Sequence, residues 1–334
     1  MAIDSSAKSR SPTANRQLKV VVLMGGIGEE RDISIQSGSC VAKALSEAGI
    51  NAVTSNIGPD NLDILEDDSI DVFFIALHGR FGEDGQLQQI LEDKSLIYTG
   101  SGPEASKLAF DKLASKERFV NAGITTPRVI PFDGQPGAAE LEKQLLQLSE
   151  RFVIKPVRQG STIGVTIADD TESALEAAQQ CLSKFGDCII EEFIPGKEIT
   201  IGILRNQALP IIEIKSKTGF YDYQAKYIDE QTEYLFDTID PIVAAKIQAD
   251  ALSCFNVLGL RHFARVDFRL SDDGIGYALE VNTIPGLTTH SLLPKAAEKA
   301  GISMSQLCLK IVKAALENKN NKPPLLKRTV NSQT

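Results

Sequence analysis

A run of β-branched and apolar residues near the N-terminus, Lys19 to Met24, ends at Gly25-Gly26. Such a run closed by glycines is typical of a buried strand that enters a tight turn. Residues 33–48 then have helical spacing, with apolar side chains on one predicted buried face, and a second apolar run, Asp71 to Leu77, stops at His78-Gly79. Strand, helix and strand in this order predict a doubly wound parallel sheet, which binds ligands at the carboxyl ends of its strands.

Two further sections follow along the chain. Phe152 to Lys155 and Cys188 to Ile194 are predicted strands on either side of a helix at Thr171 to Phe185, which is typical of a small α+β domain. The last section contains predicted strands at 263–270 and 276–281. The chain is therefore expected to be an α/β (α+β) protein with several closely packed domains.

Composition excludes several classes of function. The 334 residues carry a net charge of −9, which argues against a nucleic-acid-binding protein because phosphate backbones are held by basic surfaces. No apolar run approaches the roughly 20 residues of a membrane-spanning helix. The five cysteines are scattered and there are three histidines, so a zinc site is not expected. A cytoplasmic protein with reduced thiols and no nucleic-acid or membrane partner fits these observations.

The most informative pattern joins Arg265-Val266-Asp267 on one predicted strand with Glu280-Val281-Asn282 on the next. Alternate residues of a strand share a face, so two carboxylates and an amide converge beside a guanidinium if the strands pair. Hard oxygen ligands of this kind suit Mg²⁺ bound together with nucleotide phosphates. The alternative is a cross-strand salt bridge on an exposed face.

Lys155 ends a predicted strand just before a loop that contains Gly160 and Gly164. A lysine beside free backbone amides is a candidate phosphate cradle, although glycine turns between strands are common. The Walker A order is absent, and Gly25-Gly26-Ile27-Gly28 lacks the dinucleotide fingerprint. These loops carry no functional conclusion on their own.

His78 and Glu30 both follow predicted strands of the first section, where open α/β sheets bind ligands. A lone histidine at a strand end is equally compatible with a structural role. A carboxylate at this position also fits a helix terminus, where the helix dipole favours negative charge. Both readings remain open from the residues alone.

Taken together, the sequence resembles the D-alanine–D-alanine ligase family from about Lys19 to Leu316. The order and spacing of the shared segments are more specific than any one of them. The matching segments are Gly25-Gly26, Glu30-Arg31-Asp32-Ile33-Ser34, Ala76-Leu77-His78-Gly79-Arg80, Gly82-Glu83-Asp84-Gly85, Tyr98-Thr99-Gly100-Ser101-Gly102, Asp111-Lys112, Lys155-Pro156, Gly160-Ser161-Thr162-Ile163-Gly164, Phe220-Tyr221-Asp222-Tyr223, Ala225-Lys226-Tyr227, Arg265-Val266-Asp267, Glu280-Val281-Asn282-Thr283 and Pro285-Gly286-Leu287-Thr288.

The resemblance implies an ATP-grasp fold with a Rossmann-like N-terminal substrate domain. We expect this domain at 18–115, a small central ATP-grasp domain at 116–205 and a C-terminal catalytic domain at 206–317. A disordered leader at 1–17 and a flexible tail at 318–334 would lie outside them. A homodimer is also implied.

The same resemblance implies ATP and two Mg²⁺ ions, with Mn²⁺ as a substitute, between the central and C-terminal domains. Lys112 and Lys155 are similar to the lysines that bind phosphates, and Glu198 to the acid that binds ribose. The implied metal ligands are Asp267, Glu280 and Asn282. The implied nucleotide-binding residues are Lys112, Lys155, Ser161, Glu191, Phe193, Ile194, Glu198, Lys226 and Asn282.

In this family, D-alanine is first converted to an acyl phosphate, which the amine of a second D-alanine then attacks. By resemblance, Arg265 and the Gly286 amide stabilise the oxyanion of that attack. The implied catalytic residues are Glu30, Ser161, Tyr227, Arg265 and Gly286. The implied substrate-binding residues are Glu30, His78, Lys226, Ser291 and Leu292.

The polar, tyrosine-rich segment from Tyr221 to Glu230 is predicted to close over the site and exclude water from the acyl phosphate. Simple loop packing is the alternative for its tyrosines. By the family resemblance, the presence of Tyr227 with Ser161 and Glu30 favours D-alanine as both substrates, with D-alanyl-D-serine formation as the nearest competitor. A ligase of the same fold that acts on L-amino acids is a less favoured alternative. A non-catalytic nucleotide-binding protein would be expected to have lost Arg265, Asp267, Glu280 or Asn282, and all four are present.

Overall fold

The computed structural model describes residues 17–215 and 232–321. The described strands form three sheets of three, six and four strands. The first sheet is parallel, as predicted, and the other two are antiparallel.

In the N-terminal sheet, β1 (Lys19–Gly25) lies between β2 (Asn51–Ile57) and β3 (Val72–Ile75). The predicted strands β1 and β3 have buried side chains along nearly their whole length, as parallel strands covered on both faces require. Sequence reasoning missed β2, because this edge strand is largely exposed and has no continuous apolar run.

Helix α1 (Arg31–Glu47) follows β1 and packs on this sheet. Its predicted apolar face is correct from Val41 onwards, but its first turns bury serines, Ser34 and Ser37, instead of Ile33 and Ile35. The serines are buried because their hydroxyls bond backbone and side-chain groups at the strand ends. The other helices of this section are a 3-10 helix (Asp63–Glu66), α2 (Gln86–Asp93), α3 (Pro103–Phe110) and α4 (Lys112–Asn121).

The central sheet has its own apolar core under two helices, which include the predicted helix at 171–185. The Asp170 carboxylate caps that helix by accepting from the Ser173 amide. Its elements are β4 (Val129–Phe132), α5 (Ala138–Leu148), β5 (Phe152–Pro156), β6 (Thr166–Ala168), α6 (Thr171–Phe185) and β7 (Cys188–Glu192).

The six-stranded sheet contains the predicted strands of the last section and pairs β8 (Lys197–Leu204) directly with β12 (Phe263–Leu270). The sequence-based boundary at residue 205 therefore places β8, a strand of this sheet, in the central section. The elements are β8 (Lys197–Leu204), β9 (Gln207–Ala208), β10 (Ile212–Lys215), β11 (Glu233–Leu235), α7 (Pro241–Val257), β12 (Phe263–Leu270), β13 (Gly276–Asn282), α8 (Leu292–Lys299) and α9 (Met304–Asn321).

The last helix, α9, continues to Asn321, so it extends into the segment predicted as a tail from residue 318. It packs against α1, and one continuous core joins the N-terminal sheet to the helices α8 and α9. The central sheet has a separate core, and its strands are ordered β4-β7-β5-β6. The six-stranded sheet is ordered β11-β10-β8-β12-β13, with β9 paired to β8. No helix among the described residues is long and apolar enough to cross a membrane.

Candidate active site

Two adjoining cavities lie where the three sheets meet. The larger, of about 560 Å³, is open to the carboxyl ends of the N-terminal strands and to β12 and β13. The smaller, of about 110 Å³, lies between the central and six-stranded sheets. Lys112, Gln159 and Glu280 line both, so a ligand in one can touch a ligand in the other.

The pairing of β12 with β13 brings the predicted metal-binding groups together. Arg265 lies directly opposite Asn282, and Asp267 lies directly opposite Glu280. Arg265 donates to Asp267 through Nε at 2.8 Å and through a terminal nitrogen at 2.7 Å. Thr200 of β8 donates to the same carboxylate at 2.5 Å. These bonds fix the Asp267 side chain beside the cavities.

Two carboxylates directly opposite one another on paired strands repel unless a positive charge lies between or beside them. Here Arg265 neutralises Asp267, and the Lys112 Nζ lies 3.2 Å from Glu280 Oε2. Lys112 also donates to the Gln159 carbonyl at 2.5 Å, which ties it to the glycine-bearing loop. Half-buried carboxylates in this arrangement favour the binding of cations beside them.

The donor set fits Mg²⁺ rather than a transition metal. Asp267, Glu280 and Asn282 offer hard oxygens from neighbouring strands. Among the described residues no three histidine, cysteine, aspartate or glutamate side chains gather as a metal cluster. Mg²⁺ is usually held by one or two carboxylates and by substrate phosphates, so this smaller set is sufficient. The Asn282 Oδ1 also accepts from the Ile284 amide at 2.9 Å, which shapes the turn that follows β13.

A buried ion cluster lies behind the smaller cavity. Glu191 is bracketed by Lys116 at 2.7 Å and Lys155 at 2.9 Å, and all three are nearly inaccessible to solvent. Burial alone would raise the pKa of Glu191, but the two lysine charges outweigh it and lower that pKa. Burial lowers the pKa of Lys116 to about 8. With one carboxylate between two lysines, the cluster attracts anions.

The outer wall of the smaller cavity is apolar and aromatic. Phe193 and Ile194 line it, and the Arg151 guanidinium lies 4.2 Å from the centre of the Phe193 ring. Arg269 donates to the Ile194 carbonyl at 3.2 Å and lies 3.7 Å from Glu198. A flat apolar slot beside an acidic side chain has the character of a site for a planar base and its sugar.

Glu30 lies in the larger cavity at the start of α1. Ser161, from the loop after β5, donates a hydrogen bond to its Oε1. A Cβ built on Gly79 would lie 2.7 Å from Glu30 Oε2, and one built on Gly160 would lie 3.2 Å from it. Glycine at 79 also has a positive φ of 68°. The carboxylate is therefore enclosed by two backbones that leave no room for a side chain.

The far end of the larger cavity is formed by the turn after β13 and the start of α8. A Cβ on Gly286 would lie 2.7 Å from the Ser291 Oγ, so a larger residue at 286 would displace the Ser291 hydroxyl. The Ser291 hydroxyl accepts from the Thr288 amide at 3.0 Å. Leu292 is the first residue of α8, and the free amides and dipole of a helix N-terminus favour a negative group.

This geometry agrees with comparisons to known proteins. The family description "D-ala D-ala ligase C-terminus" matches residues 120–313, and "D-ala D-ala ligase N-terminus" matches residues 60–101. The chain is 42% identical over 302 residues to the D-alanine–D-alanine ligase of Syntrophotalea carbinolica, which covers 90% of this chain and 97% of that protein.

The chain belongs to the D-alanine–D-alanine ligase family.

Solved structures agree with this assignment. The D-alanine–D-alanine ligase of Bacillus anthracis complexed with ATP has a TM-score of 0.80 and 32% identity, and covers 91% of this chain and 99% of that chain. The VanG D-Ala:D-Ser ligase of Enterococcus faecalis has a TM-score of 0.78 and 26% identity, and covers 90% and 100%. The fold is therefore the ATP-grasp fold expected from the sequence.

Most of the residues that family resemblance selects line the two cavities of this ligase-family chain. The larger cavity contains Glu30, His78, Lys112, Ser161, Arg265, Glu280, Asn282, Gly286, Ser291 and Leu292. The smaller contains Lys112, Lys155, Glu191, Phe193, Ile194, Glu198, Asp267 and Glu280. Lys226, Tyr227 and the segment predicted to close over the site lie outside the described residues.

His78 is buried, and each of its ring nitrogens lies near a polar side chain. Its Nε2 lies 3.2 Å from the Ser37 Oγ, and its Nδ1 lies 3.8 Å from Glu83 Oε1. Burial opposes protonation of the ring, but the charges of Glu83 and Glu30 outweigh it and raise the pKa of His78. Ser37 also accepts from the Leu287 amide at 3.3 Å, so this network reaches the turn that carries Gly286.

Sequence reasoning assigned no role to several side chains that support the ligase site. They give no local signal, because a buried lysine or serine inside a helical pattern is indistinguishable from a solvent-facing one until the helix is packed. The Glu83 position lies in a quoted family segment, and that was the only signal that could have found it. The supporting residues are Ser37, Glu83, Lys116, Gln159, Thr200 and Arg269.

Proposed function

We propose that this chain uses ATP to join two D-alanines into D-alanyl-D-alanine, through a D-alanyl phosphate, and releases ADP and phosphate. The observation that carries the proposal is the convergence of Arg265, Asp267, Glu280 and Asn282 on paired strands. Arg265, Glu280 and Asn282 line the cavity in which Ser161 bonds Glu30, and Asp267 lines the smaller cavity beside it. The same cavity adjoins a slot suited to a nucleotide.

ATP fits the smaller cavity with its base against Phe193 and Ile194 and its ribose near Glu198. The phosphates then point towards the larger cavity, past Lys155 and Lys112. Lys112 is paired with Glu280 and Lys155 with Glu191, so both cations are already oriented at the junction of the cavities. Glu191 contributes by holding Lys155 in place.

We propose two Mg²⁺ ions, replaceable by Mn²⁺, with Asp267, Glu280 and Asn282 as their protein ligands. When bound, the metal neutralises the charge that gathers on the transferred phosphoryl group. The residues fit this role because they present oxygens on paired strands with a cation already beside each carboxylate. Phosphate oxygens complete such a site.

The first D-alanine is proposed to place its ammonium at Glu30 and its carboxylate towards Lys112 and Arg265. The Glu30 carboxylate accepts from Ser161, which fixes its orientation, and Tyr227 is the third member expected beside it. A carboxylate oxygen of the substrate attacks the γ-phosphorus, the bond to the β-phosphate oxygen breaks, and ADP leaves. A D-alanyl phosphate remains against Arg265.

The second D-alanine is proposed to place its carboxylate at the start of α8, against Ser291, the Leu292 amide and Lys226. Its neutral amine attacks the acyl carbon, and the carbonyl oxygen becomes an oxyanion between Arg265 and the Gly286 amide. Phosphate then leaves and the amine proton is released. His78 supports the turn that carries Gly286, through Ser37 and the Leu287 amide.

A product of this kind is a building block of peptidoglycan, so we propose that the enzyme supplies cell-wall precursors in the cytoplasm. We also propose that it acts as a homodimer, as its family resemblance implies. Light scattering of the eluted protein on a size-exclusion column would give the mass of the assembly, and a monomer mass at working concentration would contradict this part.

The substrate assignment is tested with purified protein, ATP, MgCl₂ and single amino acids. We expect phosphate release that depends on D-alanine, and a product with the mass of D-alanyl-D-alanine. D-Serine is added with D-alanine in a second reaction, because a mixed dipeptide as the main product would favour the D-alanyl-D-serine alternative. L-Alanine is the matched control, and no release with D-alanine would overturn the proposal.

A further inference from the structure

We propose that Lys116 is a positioning residue for the nucleotide, which holds the central sheet against the six-stranded sheet by joining Glu191 to Thr126. The proposal rests on the proposed use of the smaller cavity by ATP. Lys116 lines neither of the two active-site cavities, so it acts through its neighbours and not by touching the substrate.

The Lys116 ammonium is buried and has two polar partners. Its side chain is 2% exposed, on helix α4, and Nζ lies 2.7 Å from Glu191 Oε1. The same nitrogen donates to the Thr126 Oγ1 at 2.6 Å. An ammonium buried to this degree is stable only when it is paired and hydrogen-bonded, so both contacts are needed to keep it there.

Thr126 connects this ammonium to strand β13. Its hydroxyl accepts from Lys116, donates to the Ala278 carbonyl at 2.7 Å, and the Ala278 amide donates to the Thr125 carbonyl at 2.9 Å. β13 is an edge strand, and its register with β12 shifts between Asp267 and Phe268. The connection from α4 to β4 therefore covers the outer edge of β13 two residues before Glu280.

Glu191 links Lys116 to Lys155, the lysine proposed to bind phosphate. Glu191 lies on β7 of the central sheet and uses its second oxygen, Oε2, to hold Lys155 at 2.9 Å. Among the described strands, no strand of the central sheet pairs with a strand of the six-stranded sheet. The path from the Ala278 carbonyl through Thr126, Lys116 and Glu191 to Lys155 therefore connects two sheets that share no strand pairing, directly behind the nucleotide cavity.

Loss of Lys116 should affect the binding of nucleotide more than the binding of D-alanine. Without Lys116, Glu191 keeps one lysine and loses its tie to the edge of β13, so Lys155 and the wall of the nucleotide slot are less well fixed. Nucleotide binding should weaken. The D-alanine positions at Glu30 and at the start of α8 belong to other elements and should be affected much less.

The test measures ADP binding in the presence of MgCl₂ by calorimetry, and the KM values for ATP and D-alanine, on the full-length chain. Lys116→Met should raise the Kd for ADP and the KM for ATP by about tenfold, the scale of one lost hydrogen bond to a charged group. Thr126→Val should change both in the same direction, and Thr126→Ser should restore them because it keeps the hydroxyl.

Lys19→Met is the matched control, since it removes a lysine that is ion-paired with Asp67 far from the site. It should bind ADP like the unmodified protein. Thermal denaturation establishes that each variant is folded, and if Lys116→Met does not fold, the Thr126→Val and Thr126→Ser pair decides the question.

Unchanged ADP affinity in folded Thr126→Val, or an equal rise in the KM for ATP and for D-alanine in Lys116→Met, would overturn the proposal. ADP binding does not require a particular amino-acid substrate. A failure of the unmodified protein to make D-alanyl-D-alanine would therefore count against the proposed function only. The ADP affinities of the variants would still test the role of Lys116.

Discussion

At the scale of single residues, the site depends on cations that are already paired. Arg265 holds Asp267 through two hydrogen bonds, and Lys112 lies against Glu280. Each pair neutralises a carboxylate that would otherwise face its like-charged neighbour across the strands. The same guanidinium is placed where a negative oxygen is proposed to form, so its loss affects both the resting site and the reaction.

Replacement of Arg265 by alanine should therefore lower kcat by about 10²–10³, the usual cost of removing one oxyanion donor. Arg265→Lys keeps the charge but cannot make two hydrogen bonds in the geometry of a guanidinium. Its kcat should therefore lie between those of the unmodified protein and Arg265→Ala. Steady-state phosphate release checks both variants. Near-normal turnover in Arg265→Ala would show that the oxyanion is stabilised elsewhere.

At the scale of elements, the sections of the chain are joined by a few buried polar contacts. His262, just before β12, accepts from the Gly100 amide at 3.0 Å through Nδ1. Its Nε2 lies 2.9 Å from the side-chain amide of Asn318 near the end of α9. The Gly100 amide can donate to Nδ1 only while that nitrogen carries no proton, so this hydrogen bond to the N-terminal section exists only while the ring is uncharged.

Burial, reinforced by the charges of Arg261 and Arg205, lowers the pKa of His262 to about 3. A depressed folded-state pKa means that the unfolded chain binds the proton first as the pH falls below about 6.5. Stability is therefore full above pH 6.5 and is lost towards pH 3, by about 2 kcal/mol at pH 5.

Urea unfolding of the unmodified chain and of His262→Asn, at pH 7 and pH 5, checks this linkage. Asparagine tolerates the positive φ of 67° at this position and does not titrate. The difference in unfolding free energy between the two proteins should shrink by about 2 kcal/mol at the lower pH. A difference that is the same at both values would show that His262 does not titrate as proposed.

At the scale of the whole molecule, the central sheet has a core separate from the one shared by the N-terminal sheet and α8–α9. The cavities lie at the junction of these units, so a ligand that touches both should hold them together. The proposed Mg²⁺–nucleotide complex touches Lys155 on the central sheet and Glu280 on the six-stranded sheet. Its binding should therefore stabilise the fold as a whole.

ADP at 100 times its Kd, with MgCl₂, should raise the unfolding free energy by about 2.7 kcal/mol. Chelation of the metal with EDTA should remove most of this gain, because phosphates would then face Asp267 and Glu280 without a cation between them. Chemical denaturation with and without EDTA measures the effect. Equal stabilisation in both conditions would contradict a metal site at these carboxylates.

Local pattern was enough to predict the strands β1, β3, β12 and β13, since long apolar or alternating runs have a strong period. It also predicted that Arg265 and Asp267 share one strand face, as do Glu280 and Asn282, because residue alternation in a strand is a fixed geometric property. The pairing of the two strands, on which their convergence depends, came from the tertiary structure. Family resemblance added the joint order of the segments. The edge strand β2 was not available from local pattern, because it is largely exposed and has no continuous apolar run.

The amino-acid order of this chain determined its element types, its family and the identity of the groups that meet at the site. The tertiary structure decided which of those groups are neutralised and by what, as with Lys116 beside Glu191 and Ser37 beside His78. The physical reason is that charge and hydrogen-bond partners act over a few ångströms in space. Residues far apart in the sequence become such partners only when the sheets pack.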